Sequence, residues 1–303
     1  MGLENNESLA LRVVNESLKL PIVKVNRSEF LVKVFGDKVE DVNQLIEEGP
    51  QAFLSIDDLD RAANNRIYSI VAQSSTLSFA TGLPGGIAMA ATIPADITQF
   101  YGYSLKLAQE VSYIYGYEDN WNQQGELTKE AKETLILYLG IMLGVSTASS
   151  AVRVLSGKLS VQALKKIPQK ALTKTIYYPV IKKVLAVFGT KLTKATFAKG
   201  VSKMVPVVGG VVSGGLNYFS MKPMATKLKN ELRKGINYSE ENLKQDLKIL
   251  NVEDIIVNES NSSENSMKGE FVIKQIEKAH SLLEQKIITE EEFISLKQNI
   301  LSK

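Results

Sequence analysis

The sequence predicts an all-α protein. Apolar residues recur at three- and four-residue spacings along most of the chain, and alternating strand patterns are few. Proline and glycine mark the ends of the helical segments, as expected at helix boundaries. We therefore expect a large multi-helix domain with apolar, glycine-rich helices, followed by a C-terminal helical hairpin on a flexible linker.

The N-terminal third is predicted to contain helices of increasing length. Two short amphipathic helices are expected over Leu9–Leu20 and Val39–Glu48, each followed by proline or glycine, and a longer helix over Asp57–Ser78. The turn Gly82–Gly86 then predicts a chain reversal, and it lacks the Lys-Ser/Thr pair of a phosphate-binding loop. The next helix follows Pro94, a favourable first-turn residue, and its apolar spacing predicts one buried face.

The rest of the chain divides by composition. Thr134–Val152 is a 19-residue uncharged segment, and Val205–Met221 is rich in valine and glycine. Asn258–Ser266 has no apolar residue and is interpreted as a linker, because it cannot offset its own ordering entropy. Beyond it, Phe271–Gln285 and Thr289–Leu301 predict a helical pair. The predicted divisions are 1–235 for the helical domain, 236–268 for a helical extension and linker, and 269–303 for the terminal pair.

Charge is distributed very unevenly along the chain. Thr134–Asn230, the acid-free segment, contains 15 lysines and arginines and no aspartate or glutamate in 97 residues. The flanking regions are acidic, with 11 basic and 19 acidic residues before it and 10 basic and 14 acidic residues after it, so the net charge is only +3. A field of one sign over one region attracts anionic partners whatever the whole-chain balance.

The acid-free segment predicts binding to an anionic membrane or to a membrane protein, because lysines close to lipid headgroups contribute about 1 kcal/mol each. A solvated basic face, balanced by the acidic N-terminal helices, remains an alternative. Nucleic-acid binding is disfavoured, because aromatic residues are not interleaved with arginines there. The lysines expected to bind anions are Lys165, Lys166, Lys182, Lys183, Lys191, Lys194, Lys199 and Lys203.

Two pairs of glycines place small residues four apart on apolar helices. They are Gly140 with Gly144, and Gly210 with Gly214. This spacing allows helix backbones to approach closely, both in membranes and in tightly packed soluble bundles. We interpret these segments as core helices that are capable of membrane insertion. The alternative is a pore-forming effector in which these glycine-rich helices cross the membrane.

Conventional catalytic and metal-binding constellations are missing from the sequence. The chain has no cysteine and a single histidine, His280, so no nucleophilic triad, no metal site and no cofactor are expected. Asp96 is the weak catalytic candidate, in an apolar helix that also carries Gln99 and Gln109. A soluble enzyme or ligand-binding protein with an apolar pocket near Asp96 is therefore the competing class, although a carboxylate there also complements a helix N-terminus.

Five short motifs occur in order along the helical domain. They are Thr81–Gly86, Thr92–Asp96, Ala108–Gln109, Tyr113–Gly116 and Pro206–Gly210. Together they resemble the EcsC protein family, over roughly residues 15–235. That resemblance implies a bacterial protein linked to membranes, with no established reaction and no catalytic residues to transfer.

The tail contains the sequence Ile287–Phe293, which resembles the short C-terminal oligomerisation domain called SHOCT. The resemblance implies self-association. The composition agrees independently, because two short helices cannot bury their own apolar residues well. The residues expected to be covered by partner chains are Leu282, Leu283, Phe293, Leu296 and Ile300.

The expected function is therefore non-enzymatic: a membrane-associated helical protein that self-assembles through its tail and binds or remodels an anionic membrane or a membrane protein. No secretory signal is recognised at the N-terminus, and the lack of cysteine fits a reducing compartment. The expected location is the cytoplasm, at the inner face of the cell membrane.

Overall fold

The computed structural model describes residues 2–81, 95–119, 121, 125–156, 176–202, 209–251, 289 and 295. Helices dominate these ranges, where the one extended pairing is an isolated bridge between Trp121 and Leu127, so the all-α prediction is confirmed. Three short 3-10 helices cover Pro21–Val23, Gly36–Lys38 and Pro50–Ala52. The α-helices are α1 (Gly2–Leu18), α2 (Arg27–Phe35), α3 (Val42–Glu48), α4 (Ile56–Thr81), α5 (Ala95–Ile114), α6 (Lys129–Leu143), α7 (Ser146–Leu155), α8 (Tyr178–Ser202), α9 (Gly209–Arg233) and α10 (Glu240–Leu250).

Side-chain caps set several helix starts. The Asp41 carboxylate accepts from the backbone N–H groups of Asn43 and Gln44, so α3 begins at Val42 rather than at the predicted Val39. Asn26 caps α2 in the same way, and the apolar periodicity did not predict that helix. Ser239 and Asn242 form a reciprocal capping box at the start of α10.

Helix α5 lies at the centre of the bundle, in contact with α1, α4, α6 and α9. The prediction of a single buried face is wrong, because every residue from Tyr101 to Tyr115 except Lys106 is buried. Several of its polar residues in this stretch are hydrogen-bonded within the fold. Gln109 donates to the carbonyl of Val23 at 2.7 Å and accepts from the indole N–H of Trp121 at 2.6 Å. A helix buried on all sides shows no clear amphipathic stripe.

The uncharged segment Thr134–Val152 forms two helices rather than one. Helix α6 ends at Leu143, because Gly144 takes the left-handed conformation (φ +86°) and its N–H bonds back to the carbonyls of Gly140 and Ile141. Helix α7 begins two residues later and folds back against α6. Gly144 therefore ends α6 and does not share a continuous helix face with Gly140.

Gly140 permits a close approach of three helices. A Cβ atom at this position would lie 2.5 Å from Val184 Cγ2 of α8 and 2.8 Å from Ala148 Cβ of α7. All nine residues Leu135–Leu143 are buried, so α6 packs inside the bundle. Within the described ranges, no helix combines the length and apolar character needed to cross a bilayer.

The C-terminal part of the described structure is tied to the bundle. Helix α10 packs against α7, although it falls in the stretch that the sequence assigns to an extension, and its Leu243 is buried. Helix α9 contains Gly210 and Gly214 in its first two turns, at positions whose packing is not described. The Gly82–Gly86 turn, the Asn258–Ser266 linker, the terminal helical pair and its five apolar residues lie outside the described residues, apart from Thr289 and Ser295.

We predict that Gly140→Ala lowers the thermal midpoint of unfolding. In an open helix position the same change is stabilising by up to about 1 kcal/mol, because alanine has the higher helix propensity. Here the added methyl group overlaps Val184 and Ala148, and overpacking costs about 1–3 kcal/mol. Differential scanning calorimetry shows whether the thermal midpoint falls or rises.

Gly36→Ala is the matched control, since a Cβ there meets Val32 Cγ1 at an ordinary 3.5 Å. It should leave the midpoint unchanged or raise it. A rise in the midpoint of Gly140→Ala would contradict the close approach of α6, α7 and α8.

Candidate functional site

The structure describes the side chains of some of the lysines predicted to bind anions, and not of others. Lys182 and Lys183 are exposed in its second turn, on the side opposite the buried residues Val184, Leu185 and Phe188. Lys194 and Lys199 lie in α8 at positions whose side chains are not described, and Lys165, Lys166 and Lys203 lie outside the described residues. The periodicity that buries one side of α8 therefore presents Lys182 and Lys183 to solvent.

Arg153 is held by carboxylates from two other helices. Its Nε and Nη2 donate to the two oxygens of Asp246 at 2.8 and 2.7 Å, and Nη1 donates to Glu231 at 2.8 Å. The hydroxyl of Tyr238 donates to Asp246 at 2.7 Å. Burial lowers the pKa of Arg153, but the two carboxylates outweigh it and the pKa is raised. This network fastens α10 to α7 and α9.

Two further arginines are also used inside the fold. Arg66 Nη2 lies 2.6 Å from Oε2 of the buried Glu110, and Arg233 Nε donates to Asp60 at 2.9 Å. The hydroxyl of Tyr115 donates to the other oxygen of Asp60 at 2.6 Å. Burial raises the pKa of Glu110, and the charge of Arg66 opposes that shift. These pairs connect α4 to α5 and to α9.

The described lysines have different partners from the arginines. The lysines that form ion pairs in the described part of the chain are Lys19, Lys106, Lys129 and Lys234, all outside the acid-free segment. Within that segment, Lys222 donates to Tyr218 and Lys229 to the amide oxygen of Asn64, which are neutral groups. The described lysines of α8 and α9 are therefore not compensated by described carboxylates.

Two lysines converge on the end of α6. Lys191 Nζ donates to the carbonyl of Leu143 at 2.8 Å, and Lys227 Nζ lies 3.0 Å from the point where Gly144 would carry a Cβ. Burial lowers the pKa of Lys191, and the nearby charge of Lys227 lowers it further. The negative end of the α6 dipole favours cations here. Lys191, predicted to bind anions, thus also caps a helix.

The structure also exposes large aromatic side chains that the sequence reasoning missed. Phe219 of α9 is 75% exposed and Tyr68 of α4 is 68% exposed. A signal was present, because Met221, Ala225, Leu228 and Leu232 follow a three-four spacing that directs Phe219 away from the core. It was overlooked because Phe219 falls within Val205–Met221, which the sequence reasoning treated as one apolar segment.

The structure separates Gln109 from Asp96, the weak catalytic candidate. Asp96 lies half-buried in the first turn of α5, where a carboxylate complements the helix N-terminus. Gln109 is thirteen residues further along, about 20 Å at 1.5 Å per residue, and is bonded to Val23 and Trp121. Among the described residues no group of His, Cys, Asp or Glu is arranged to hold a metal ion, and His280 lies outside them.

Comparisons with protein-family models, with curated proteins and with solved structures return no match. The resemblances to EcsC proteins and to the SHOCT domain therefore stay predictions. The motif residues that the structure describes have structural roles. Tyr113 and Tyr115 fasten the end of α5 to Asp119 and Asp60, and Gly116 follows with φ +83°.

We predict that Arg153→Met destabilises the protein by about 3–5 kcal/mol, because it leaves the buried Asp246 without a cation. Chemical denaturation measures the loss, and adding Asp246→Asn should recover part of it. Arg61→Met removes an exposed arginine from its pair with Asp58 and should leave the midpoint nearly unchanged. Equal effects of the two single variants would contradict the role of the Arg153 network.

Proposed function

We propose that the protein is a non-enzymatic, peripheral membrane protein that binds anionic lipid through lysines of α8 and α9 and self-assembles through its C-terminal tail. The observation that supports this proposal is a difference between the arginine and the lysine side chains. Arg66, Arg153 and Arg233 pair with carboxylates between helices, whereas the described lysines of α8 and α9 have no carboxylate partner among the described residues.

The geometry favours surface binding over insertion. Leu135–Leu143 of α6 pack against neighbouring helices, so placing α6 in a bilayer requires opening the bundle. The lysines need no such change, because Lys182 and Lys183 already face solvent. Their attraction acts over roughly a Debye length, about 8 Å at physiological salt.

Surface charge alone gives weak binding. Four lysines close to an anionic surface, at about 1 kcal/mol each, correspond to a dissociation constant near a millimolar. Self-assembly raises the apparent affinity, because linked copies bind as one multivalent unit. The tail residues that we assign to assembly, Leu282, Leu283, Phe293, Leu296 and Ile300, therefore complement the lysines in this proposal.

We predict that the double variant Lys182→Glu/Lys183→Glu binds anionic vesicles at least tenfold more weakly than the wild type, because each replacement turns an attraction into a repulsion. Co-sedimentation with phosphatidylglycerol vesicles at low salt measures the bound fraction. Lys244→Glu/Lys248→Glu is the matched control, with the same change in charge on exposed residues of α10.

The control variant should bind nearly as well as the wild type. Equal losses in the two double variants would show that net charge alone matters and would contradict a role for α8. Failure of the wild type to sediment with these vesicles would contradict the proposed function itself.

We predict that Leu282→Asp/Phe293→Asp lowers the molar mass of the protein in solution, because charged residues cannot be buried between partner chains. Light scattering coupled to size-exclusion chromatography measures that mass. Gln285→Asp, a polar position in the same tail, is the control and should keep the oligomer. An unchanged mass in the double variant would contradict assembly through these residues.

A further inference from the structure

The most exposed large apolar residues of the described chain are Phe219, Tyr178 and Tyr68, at 75, 73 and 68%. Single exposed aromatic residues are ordinary on protein surfaces. Phe219 and Tyr68 differ because they belong to α9 and α4, which pack together along their lengths. Tyr178 belongs to the start of α8 and lies apart from them.

The register of the two helices places Tyr68 and Phe219 near each other. Arg233 pairs with Asp60, and Lys229 pairs with Asn64, so α4 and α9 run antiparallel. Four residues further along α4, and four residues back along α9, Tyr68 lies opposite Ala225. Phe219 lies six residues beyond Ala225 along α9, about 9 Å along the axis.

Both aromatic side chains point outward from the helix pair. On α9, Met221 and Ala225 face the core, and on α4, Ile67 and Ile70 do the same. Phe219 and Tyr68 lie on the opposite sides of their helices. We call the surface that they share with Lys222 the aromatic–lysine face.

The charge of this face has one sign. Lys222 lies between the two aromatic residues in the register, with its Nζ 5.4 Å from the ring centre of Tyr218. The ring of Phe219 packs edge-on against Tyr218, at 5.9 Å between centroids. No aspartate or glutamate occurs in residues 67–81 of α4 or 209–230 of α9.

We infer that the aromatic–lysine face is the surface that rests on an anionic lipid bilayer, with Phe219 and Tyr68 at headgroup depth and Lys222 toward the lipid phosphates. This inference rests on the proposed membrane binding and adds its orientation. Aromatic rings with an apolar body favour the membrane interface, and lysines beside them favour anionic lipid.

A second copy of the chain fits this face poorly. A two-fold contact brings the same surface against itself, so Lys222 of one copy would approach Lys222 of the other. The face supplies no carboxylate to offset that repulsion. An anionic bilayer supplies the missing negative charge and accepts the aromatic rings at the same time.

The test uses tryptophan as a depth reporter in the full chain. Phe219→Trp and Tyr68→Trp are compared with Phe53→Trp, a replacement of another exposed aromatic residue. Phe53 follows the 3-10 helix Pro50–Ala52, just before α4 begins at Ile56. Because α4 and α9 run antiparallel, this end of α4 lies beside the end of α9 at Arg233, away from Phe219.

Vesicles of phosphatidylglycerol with brominated acyl chains quench tryptophan that reaches the interface. We expect quenching and a blue-shifted emission for Phe219→Trp and Tyr68→Trp, beyond the constant signal of the native Trp121 measured in the wild type. Phe53→Trp should show no added quenching. Equal quenching in all three variants, or stronger quenching of Phe53→Trp, would overturn the inference.

A loss-of-binding series gives an independent result. Phe219→Ser should lower the fraction bound to phosphatidylglycerol vesicles about tenfold while leaving the thermal midpoint unchanged, because the ring is largely exposed. If Phe219→Ser instead lowers the oligomer mass and leaves vesicle binding intact, the face contacts protein and the inference fails. If the wild type binds vesicles and the variants at Phe219 and Tyr68 give the same results as the control variants, the proposed function stands. Only the assignment of this face is then rejected.

Discussion

The described helices are held together under one constraint, which is that a long segment of the chain contains no carboxylate. The acid-free segment Thr134–Asn230 supplies no carboxylate, so any ion-pair partner for its cations must come from elsewhere in the chain. The structure brings Glu231 and Asp246 to Arg153, where a planar guanidinium bonds both in fixed geometry. The lysines of α8 and α9 receive no described carboxylate. In the described structure the paired arginines thus join helices, whereas the lysines of α8 and α9 stay available to the anionic partner that we propose.

Helix positions were the most predictable part of the fold. The long helix over Asp57–Ser78 and the helix after Pro94 are present as α4 and α5, because proline, glycine and regular apolar spacing are local signals. The break between α6 and α7 was harder to predict. Gly144 fits a helix interior by composition, and only its left-handed conformation shows that it ends α6. Helix α5 was misjudged because enclosure on every side depends on its neighbours, which a single helix pattern does not contain.

The sequence locates the excess of lysine but not the arrangement of the individual side chains. The prediction of an anionic partner stays a prediction, and the lysine excess did not separate Lys191, which caps α6, from Lys182 and Lys183, which face solvent. Gln109 was grouped with Asp96 because both lie in one apolar helix, yet it is bonded to Val23 and Trp121 far from the helix start. The exposed ring of Phe219 depends on the direction in which α9 faces α4. Tertiary contacts decide each of these points.

The division between paired arginines and unpaired lysines makes binding to anionic lipid the central claim. The most direct measurement is the binding of the wild-type full chain to phosphatidylglycerol and to phosphatidylcholine vesicles over a range of salt concentrations. The account predicts binding to phosphatidylglycerol vesicles that weakens steadily as salt rises, and little binding to phosphatidylcholine vesicles. Binding that is equal for both lipids and insensitive to salt, or no binding to either at low salt, would contradict it.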